Sequence, residues 1–286
     1  MIPCLNAVTT GGTPSFEAFL DAAAANGYGG VEYSAEPISR LILEKSAQAA
    51  QDLLATKRAK LGVFSLPVDF RTTEENFRKS VPVLKDHAAA AATVGCTRCV
   101  TWLNPSLDDD PVAFAFRATR RLRECAKMLR DQDINFGLEW VGTPSLRVRP
   151  DGTRARKHDF IYTLPQALEF IEAIGEPNVG LLVDSWHWYT ARHTVEDLQK
   201  LPREKIIHVH VNDAPNKPIE EQLDNQRLLP GESGVIDLVG FLGAIKAKGY
   251  HGFIAVETFS ETVPKLGLMR AAKAAKQALD AILKRL

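Results

Sequence analysis

Eight short apolar runs, each followed by an amphipathic stretch, recur from one end of the chain to the other, and this alternation limits the fold more than any other feature. The runs are IPCLNAV (2–8), GVEY (30–33), KLGVFSL (60–66), RCVTWL (98–103), INFGLEW (134–140), VGLLVDS (179–185), IIHVHVN (206–212) and GFIAVETF (252–259). Helical patterns fill the intervals at 16–26, 44–58, 74–94, 111–132, 165–174, 194–200 and 238–248, with a closing one near 265–285. Thr73 precedes the acidic turn Glu74-Glu75, Asp110-Pro111 opens the fourth helix, and Gly27, Gly95 and Gly249 stand just past helix ends. Eight βα units in 286 residues, against the roughly 250 typical of such a barrel, point to an α/β chain forming a single (β/α)8 TIM barrel. No composition break marks a boundary, so 1–286 is expected to be one domain. A doubly wound sheet is the alternative, weakened because no glycine-rich phosphate loop follows the first strand.

Bulk charge excludes some functions. Thirty-five basic residues balance 35 acidic ones, leaving no global field to attract nucleic acid or an anionic membrane. No apolar run approaches the roughly 18 residues that span a bilayer. The N-terminus lacks a basic segment followed by an apolar core, and a cytoplasmic location is expected. Cys96 and Cys99 form a C-T-R-C motif, but no second C-x-x-C accompanies it, and buried structural thiols are the expectation.

The polar residues inside the later runs carry the chemistry. Side chains alternate faces along a strand, so His208 and His210 share one face while Ile207, Val209 and Val211 take the other. The same parity sets Glu139 against Phe136 and Leu138, Asp184 against Leu181 and Val183, and Glu257 against Ile254 and Val256. In a barrel the apolar face packs under helices, which turns Glu139, Asp184, His210 and Glu257 inward near the C-terminal strand ends. Three enclosed carboxylates repel one another unless a cation joins them. A divalent metal does so, and this oxygen-rich set suits Mn2+ best, with Mg2+, Co2+ or Zn2+ as alternatives. Four protein ligands on a six-coordinate ion leave two positions for adjacent substrate oxygens. His208 lies deeper on its strand and is expected to support His210 rather than bind metal.

The stretches GLEWVG, VGLLVDSWHW, HVHVND, RLLPGESGVIDL and VETF, with LNAVTT at the N-terminus, resemble the xylose isomerase-like superfamily of sugar isomerases and epimerases, and within it the inosose (2-keto-myo-inositol) isomerases. The resemblance covers essentially the whole chain. It implies metal ligation by Glu139, Asp184, His210 and Glu257, proton movement by Glu139 and Glu257, and a substrate contact by His187. In such chemistry a metal chelates the carbonyl and neighbouring hydroxyl of an α-hydroxyketone and stabilises an enediolate. Returning the proton to the neighbouring carbon isomerises; returning it to the opposite face epimerises. A dehydratase, resembling the dehydroshikimate dehydratases, and a non-catalytic sugar-binding subunit are the competing readings. The expected partner is a small sugar or cyclic polyol ketone, without nucleic acid or membrane; homo-oligomers are compatible with the sequence.

Departures are informative. Ketose 3-epimerases of this superfamily carry an arginine six residues after the metal histidine, where this chain has Asn216. The barrel endonucleases add histidines where this chain reads Ser65-Leu66-Pro67 and Trp102-Leu103-Asn104. Trp102 is a candidate substrate contact. The loop after Glu139 gathers Arg147, Arg149, Arg154, Arg156 and Lys157, which can bind an acidic substrate group or form a solvated face. Residues 213–234 read as a lid, with Arg227 and Glu232 as candidate substrate contacts. Trp186, Trp188 and Tyr189 offer either a sugar-stacking face or a subunit contact.

Overall fold

The computed structural model describes residues 1–11 and 14–286. The eight expected runs form a closed barrel of parallel strands: β1 (Ile2–Asn6), β2 (Gly30–Glu32), β3 (Leu61–Ser65), β4 (Arg98–Trp102), β6 (Asn135–Glu139), β8 (Val179–Asp184), β9 (Ile206–Val211) and β10 (Phe253–Val256). β1 pairs with both β10 and β2, which closes the ring and leaves no sheet edge. Two further strands, β5 (Ser106–Leu107) and β7 (His158–Asp159), pair antiparallel outside the barrel.

Around the barrel run α1 (Ala7–Thr10), α2 (Phe16–Ala25), α3 (Glu36–Glu44), α4 (Ala47–Thr56), α5 (Glu74–Thr93), α6 (Pro111–Arg130), α7 (Leu164–Ile174), α8 (Ser185–Thr190), α9 (Val195–Gln199), α10 (Leu238–Ala247) and α11 (Leu268–Leu283). The start signals work as expected. Thr73 accepts from Asn76 N and Asp110 from Ala113 N, each satisfying a free amide of the first turn. Gly27, Gly95 and Gly249 take φ of 71°, 76° and 80°, the left-handed turn that lets the chain leave a helix. Three helices stand where none was expected, α1, α3 and α8, and α8 carries His187. No helix among the described residues is long and apolar enough to cross a membrane.

Parity held on both barrel faces with one exception. Phe136, Leu138, Leu181, Val183, Val209, Val211, Ile254 and Val256 lie in the core between strands and helices. A second apolar layer of Cys4, Val63, Val100, Leu182, Phe253 and Ala255 fills the barrel beneath the polar residues. Glycines make room for it: a Cβ on Gly30 would stand 2.7 Å from the Phe253 ring. The exception is Ile207. The β8–β9 register shifts so that Leu181 pairs with Ile206 but Leu182 with His208. This irregularity turns Ile207 inward, where a Cβ on Gly180 would meet its Cγ1 at 2.9 Å. Ile207 therefore does not oppose His208 as strict alternation requires.

Candidate metal centre and active site

Glu139 ends β6, Asp184 ends β8, His210 lies one residue from the end of β9, and Glu257 stands one residue past β10. Asp184 and His210 are register partners, so they sit at one depth. One ligand-type atom from each of the four residues lies within 4.8 Å of the others, and all four residues are buried. His210 Nδ1 is 3.8 Å from Glu139 Oε1, 3.7 Å from Asp184 Oδ2 and 3.5 Å from Glu257 Oε2.

Asp184 is held rigidly. Its Oδ1 accepts from Trp186 N at 2.6 Å, capping α8, and from Asn212 Nδ2 at 3.1 Å. Asn212 also donates to Glu257 O, tying the ends of β8 and β10 together. Burial raises the cost of ionising Asp184, but Arg227 and His210 outweigh it and hold the carboxyl well below the usual range. Glu139 behaves oppositely. Burial first, then the charges of Glu257 and Asp184, push its carboxyl well above the usual range. Burial opposes charge on the His210 imidazole, but Glu32 and Glu257 outweigh it and lift its pKa well above the ordinary value.

Arg227 is 2% exposed and reaches into this ring. Its Nη1 donates to Asp184 Oδ2 at 3.2 Å and to Glu257 Oε2 at 3.0 Å, and Nη2 donates to Asp224 Oδ1 at 3.1 Å. Asn216 is exposed. Buried Asp213 builds that loop, its two oxygens accepting from the amides of Ala214, Ser233, Gly234 and Ile236. Glu232 does not reach the ring. Its exposed carboxylate turns back to accept from Leu229 N at 3.0 Å, which stabilises the turn of the loop.

His187 lies beside Arg227, with its Nε2 3.9 Å from Glu139 Oε1. Gly142 N donates to His187 Nδ1 at 3.2 Å. Arg227 Nη2 approaches Nε2 at the same 3.2 Å, so both ring nitrogens face donors and a neutral imidazole accepts at only one of them. Burial first, then the charge of Arg227, lowers the His187 pKa to about 4 and keeps the ring neutral. A Cβ at Gly142 would stand 2.5 Å from His187 O and 3.0 Å from Ala191 N. Gly142→Ala is accordingly expected to lose about 1–3 kcal/mol of stability in urea denaturation. Gly243→Ala, where nothing lies within 4 Å of the added carbon, is the control and should be neutral or stabilising.

The remaining expectations divide. Trp102 is the register partner of Glu139 and is 46% exposed at the barrel mouth. The Arg71 guanidinium lies 3.9 Å from the centre of its ring. Trp186 and Trp188 are interior residues, bonding Thr143 Oγ1 and Thr194 O, and offer neither a sugar face nor a subunit surface. In the basic loop Arg154 pairs with Asp159 and Arg156 with Asp108, Arg147 packs on Tyr162, and Arg149 donates to Arg154 O. Cys96 and Cys99 are buried and free, and burial pushes the Cys96 thiol up to about 12.

Sequence reading missed Glu32, Asp224 and Asn212. Applying the same parity to GVEY would have found Glu32, since Val31 packs outward. Nothing local distinguishes Asp224 within its loop.

A cavity of about 430 Å3 opens beside Glu257 and Glu32, lined also by Asn6, Tyr33, Ser34 and Ser65. A larger groove of about 780 Å3 runs between α6 and α7 on the outside of the barrel, lined by Val112, Phe116 and Phe170 and by none of the site residues.

The donor set fits a divalent ion. His210 Nδ1 and Glu139 Oε1 are buried without a hydrogen-bond partner among the described residues. Arg227 bonds Asp184 and Glu257 but not Glu139, so one guanidinium does not satisfy three carboxylates.

The chain matches the xylose isomerase-like TIM barrel family over residues 20–285. It belongs to that family. An inosose isomerase of Bacillus velezensis is 31% identical over 161 residues, 56% of this chain and 52% of that protein. The chain thus aligns with about half the length of this curated relative. A xylose isomerase domain protein from Alicyclobacillus acidocaldarius superposes with a TM-score of 0.88 at 32% identity, covering 99% of this chain and 98% of that one. The IOLI protein, solved with a binding zinc atom, superposes with a TM-score of 0.81 at 23% identity over 100% of this chain and 99% of that one.

Proposed function

We propose that this family member is a divalent-metal-dependent isomerase or epimerase that moves a proton next to the carbonyl of a neutral, inosose-type keto-polyol. The observation that carries this reading is the convergence of Glu139, Asp184, His210 and Glu257 around unpartnered, buried donor atoms. The inosose isomerase relative and the zinc of the IOLI structure support it. Glu139, Asp184, His210 and Glu257 would hold the ion, and Mn2+ suits this oxygen-rich set best, with Mg2+, Co2+ and Zn2+ to be compared. When bound, the ion supplies Lewis acidity that makes the C–H beside a chelated carbonyl more acidic.

The side chains do the rest. Glu257 faces the cavity and takes the proton, handing it to the neighbouring carbon in an isomerisation; in an epimerisation Glu139 across the ring would deliver a proton drawn from solvent while Glu257 loses its own to solvent. His187 hydrogen-bonds a substrate oxygen, and Arg227 offers its buried guanidinium to a hydroxyl or to developing negative charge. Trp102 covers one face of the substrate at the rim. A neutral substrate is favoured because Arg40 is paired with Glu36 at 3.3 Å and Arg154 and Arg156 with Asp159 and Asp108.

The test is proton NMR in D2O with the Mn2+-loaded protein and a panel of inososes and ketoses. Deuterium entering beside the carbonyl as a new keto-polyol appears is the expected result. Loss of water from the substrate would replace this reading with a dehydratase, and absence of exchange across the panel with metal bound would remove the neutral substrate.

A further inference from the structure

Among the described residues, Glu32 is a buried carboxylate of the barrel interior that the proposed chemistry leaves unused. It is 7% exposed, and its Oε2 meets His208 Nε2 at 3.0 Å and His210 Nε2 at 2.9 Å. β2 and β9 are not neighbours; β1 and β10 separate them on the shorter way around the barrel, so Glu32 reaches His208 and His210 through the interior. The two imidazoles stand at 84° with centroids 4.9 Å apart, which brings both Nε2 atoms to one oxygen rather than stacking the rings. An ionised carboxylate only accepts, so both Nε2 atoms carry hydrogen. Burial raises the cost of the Glu32 charge, but the two histidines outweigh it and keep the carboxyl well below the usual range. The lone pair of a neutral His210 then resides on Nδ1, the atom that faces Glu139, Asp184 and Glu257.

We infer that Glu32 is a positioning residue for the metal centre: fixed by His208, its carboxylate holds His210 as the Nε2–H tautomer and aims Nδ1 at the three carboxylates. The inference rests on the metal-centre reading above. A carboxylate behind a ligating imidazole fixes ring orientation and raises its basicity, and losing such a partner typically lowers metal affinity roughly 10–100-fold. His208 has a defined part in this arrangement. It is the second donor that keeps Glu32 from rotating away, and its own Nδ1 has no hydrogen-bond partner among the described residues.

Two measurements test this. Long-range proton–nitrogen spectra of the Zn2+-loaded, histidine-labelled protein should show His210 with hydrogen on Nε2, and Glu32→Gln should move that resonance. Calorimetric titration with Mn2+ and Zn2+ should give Glu32→Gln roughly 10–100-fold weaker binding than the parent, with His208→Phe between the two. Circular dichroism verifies that each variant is folded; if Glu32→Gln is not, Glu32→Asp replaces it, with intermediate affinity expected. Hydrogen on His210 Nδ1, or affinity of the Glu32 variant within twofold of the parent, overturns the inference while leaving the metal centre standing. A parent protein that binds neither ion removes the metal-centre reading, and this inference with it.

Discussion

Glu257→Gln is expected to slow proton exchange beside the substrate carbonyl by roughly 10²–10⁴-fold, the range that a positioned acid–base group contributes. The amide keeps the shape and an oxygen toward Arg227 but cannot take a proton. Glu257 borders the 430 Å3 cavity, so its loss removes the group nearest the substrate. Because the same carboxylate is a proposed ligand, metal content must be measured with the rate. Three ligands remain in the variant, and occupancy is expected to be recoverable at high Mn2+. Exchange within tenfold of the parent at full occupancy would show that Glu257 does not carry the proton. Glu139→Gln under the same conditions tells whether the returning proton comes from the other side of the ring.

Metal binding is expected to release protons, with affinity falling as pH is lowered. The sign follows from the two raised groups. In the metal-free protein Glu139 is pushed up by burial and by Glu257 and Asp184, and His210 is lifted, against burial, by Glu32 and Glu257. The ion must displace any proton that these groups hold, and each displaced proton changes apparent affinity about tenfold per pH unit. The same shifts act on stability. The folded state binds these protons more tightly than the unfolded chain, so the contribution of Glu139 and His210 to metal-free stability is greatest below their ordinary values and falls as pH rises through the raised ones, while the lowered Asp184 and Glu32 carboxyls lose theirs at low pH. Bound metal should cancel that fall. Calorimetry in two buffers of different ionisation enthalpy measures the released protons, and denaturation from acid to neutral pH with and without metal measures the second effect. Binding that is independent of buffer and pH would mean that Glu139 and His210 are already deprotonated, contrary to the electrostatics of the ring.

The way the site was and was not legible in the sequence has a physical basis. Parity is local: a strand residue's face follows from its neighbours' polarity, which is why Glu139, Asp184, His210 and Glu257 could be grouped from isolated runs of residues. It fails where pairing is irregular, as at Ile207, because a register shift between β8 and β9 depends on both strands. Short helices escaped for a related reason. α8 has only six residues, too few to show a 3.6-residue period, and it is set by the Asp184 cap and by packing of Trp186 and Trp188.

Charge in loops was the least legible. Arg147, Arg154 and Arg156 form a basic run in sequence, yet Asp108 and Asp159 lie against them only because β5 and β7 pair. Arg227 and Glu232 looked equivalent as lid residues. Folding buries the first among carboxylates and leaves the second exposed on its own turn.

From the sequence alone follow the barrel, the count and order of its strands, and the four polar side chains that share its interior, since each depends on periodicity within a few residues. The tertiary structure alone decided that Glu32 comes through the interior to two histidines, that Arg227 is buried among the ring carboxylates, and that Arg154 and Arg156 pair with Asp159 and Asp108. Those outcomes depend on barrel closure, which brings residues more than a hundred positions apart within hydrogen-bond distance, as with Glu32 and His208, 176 residues apart.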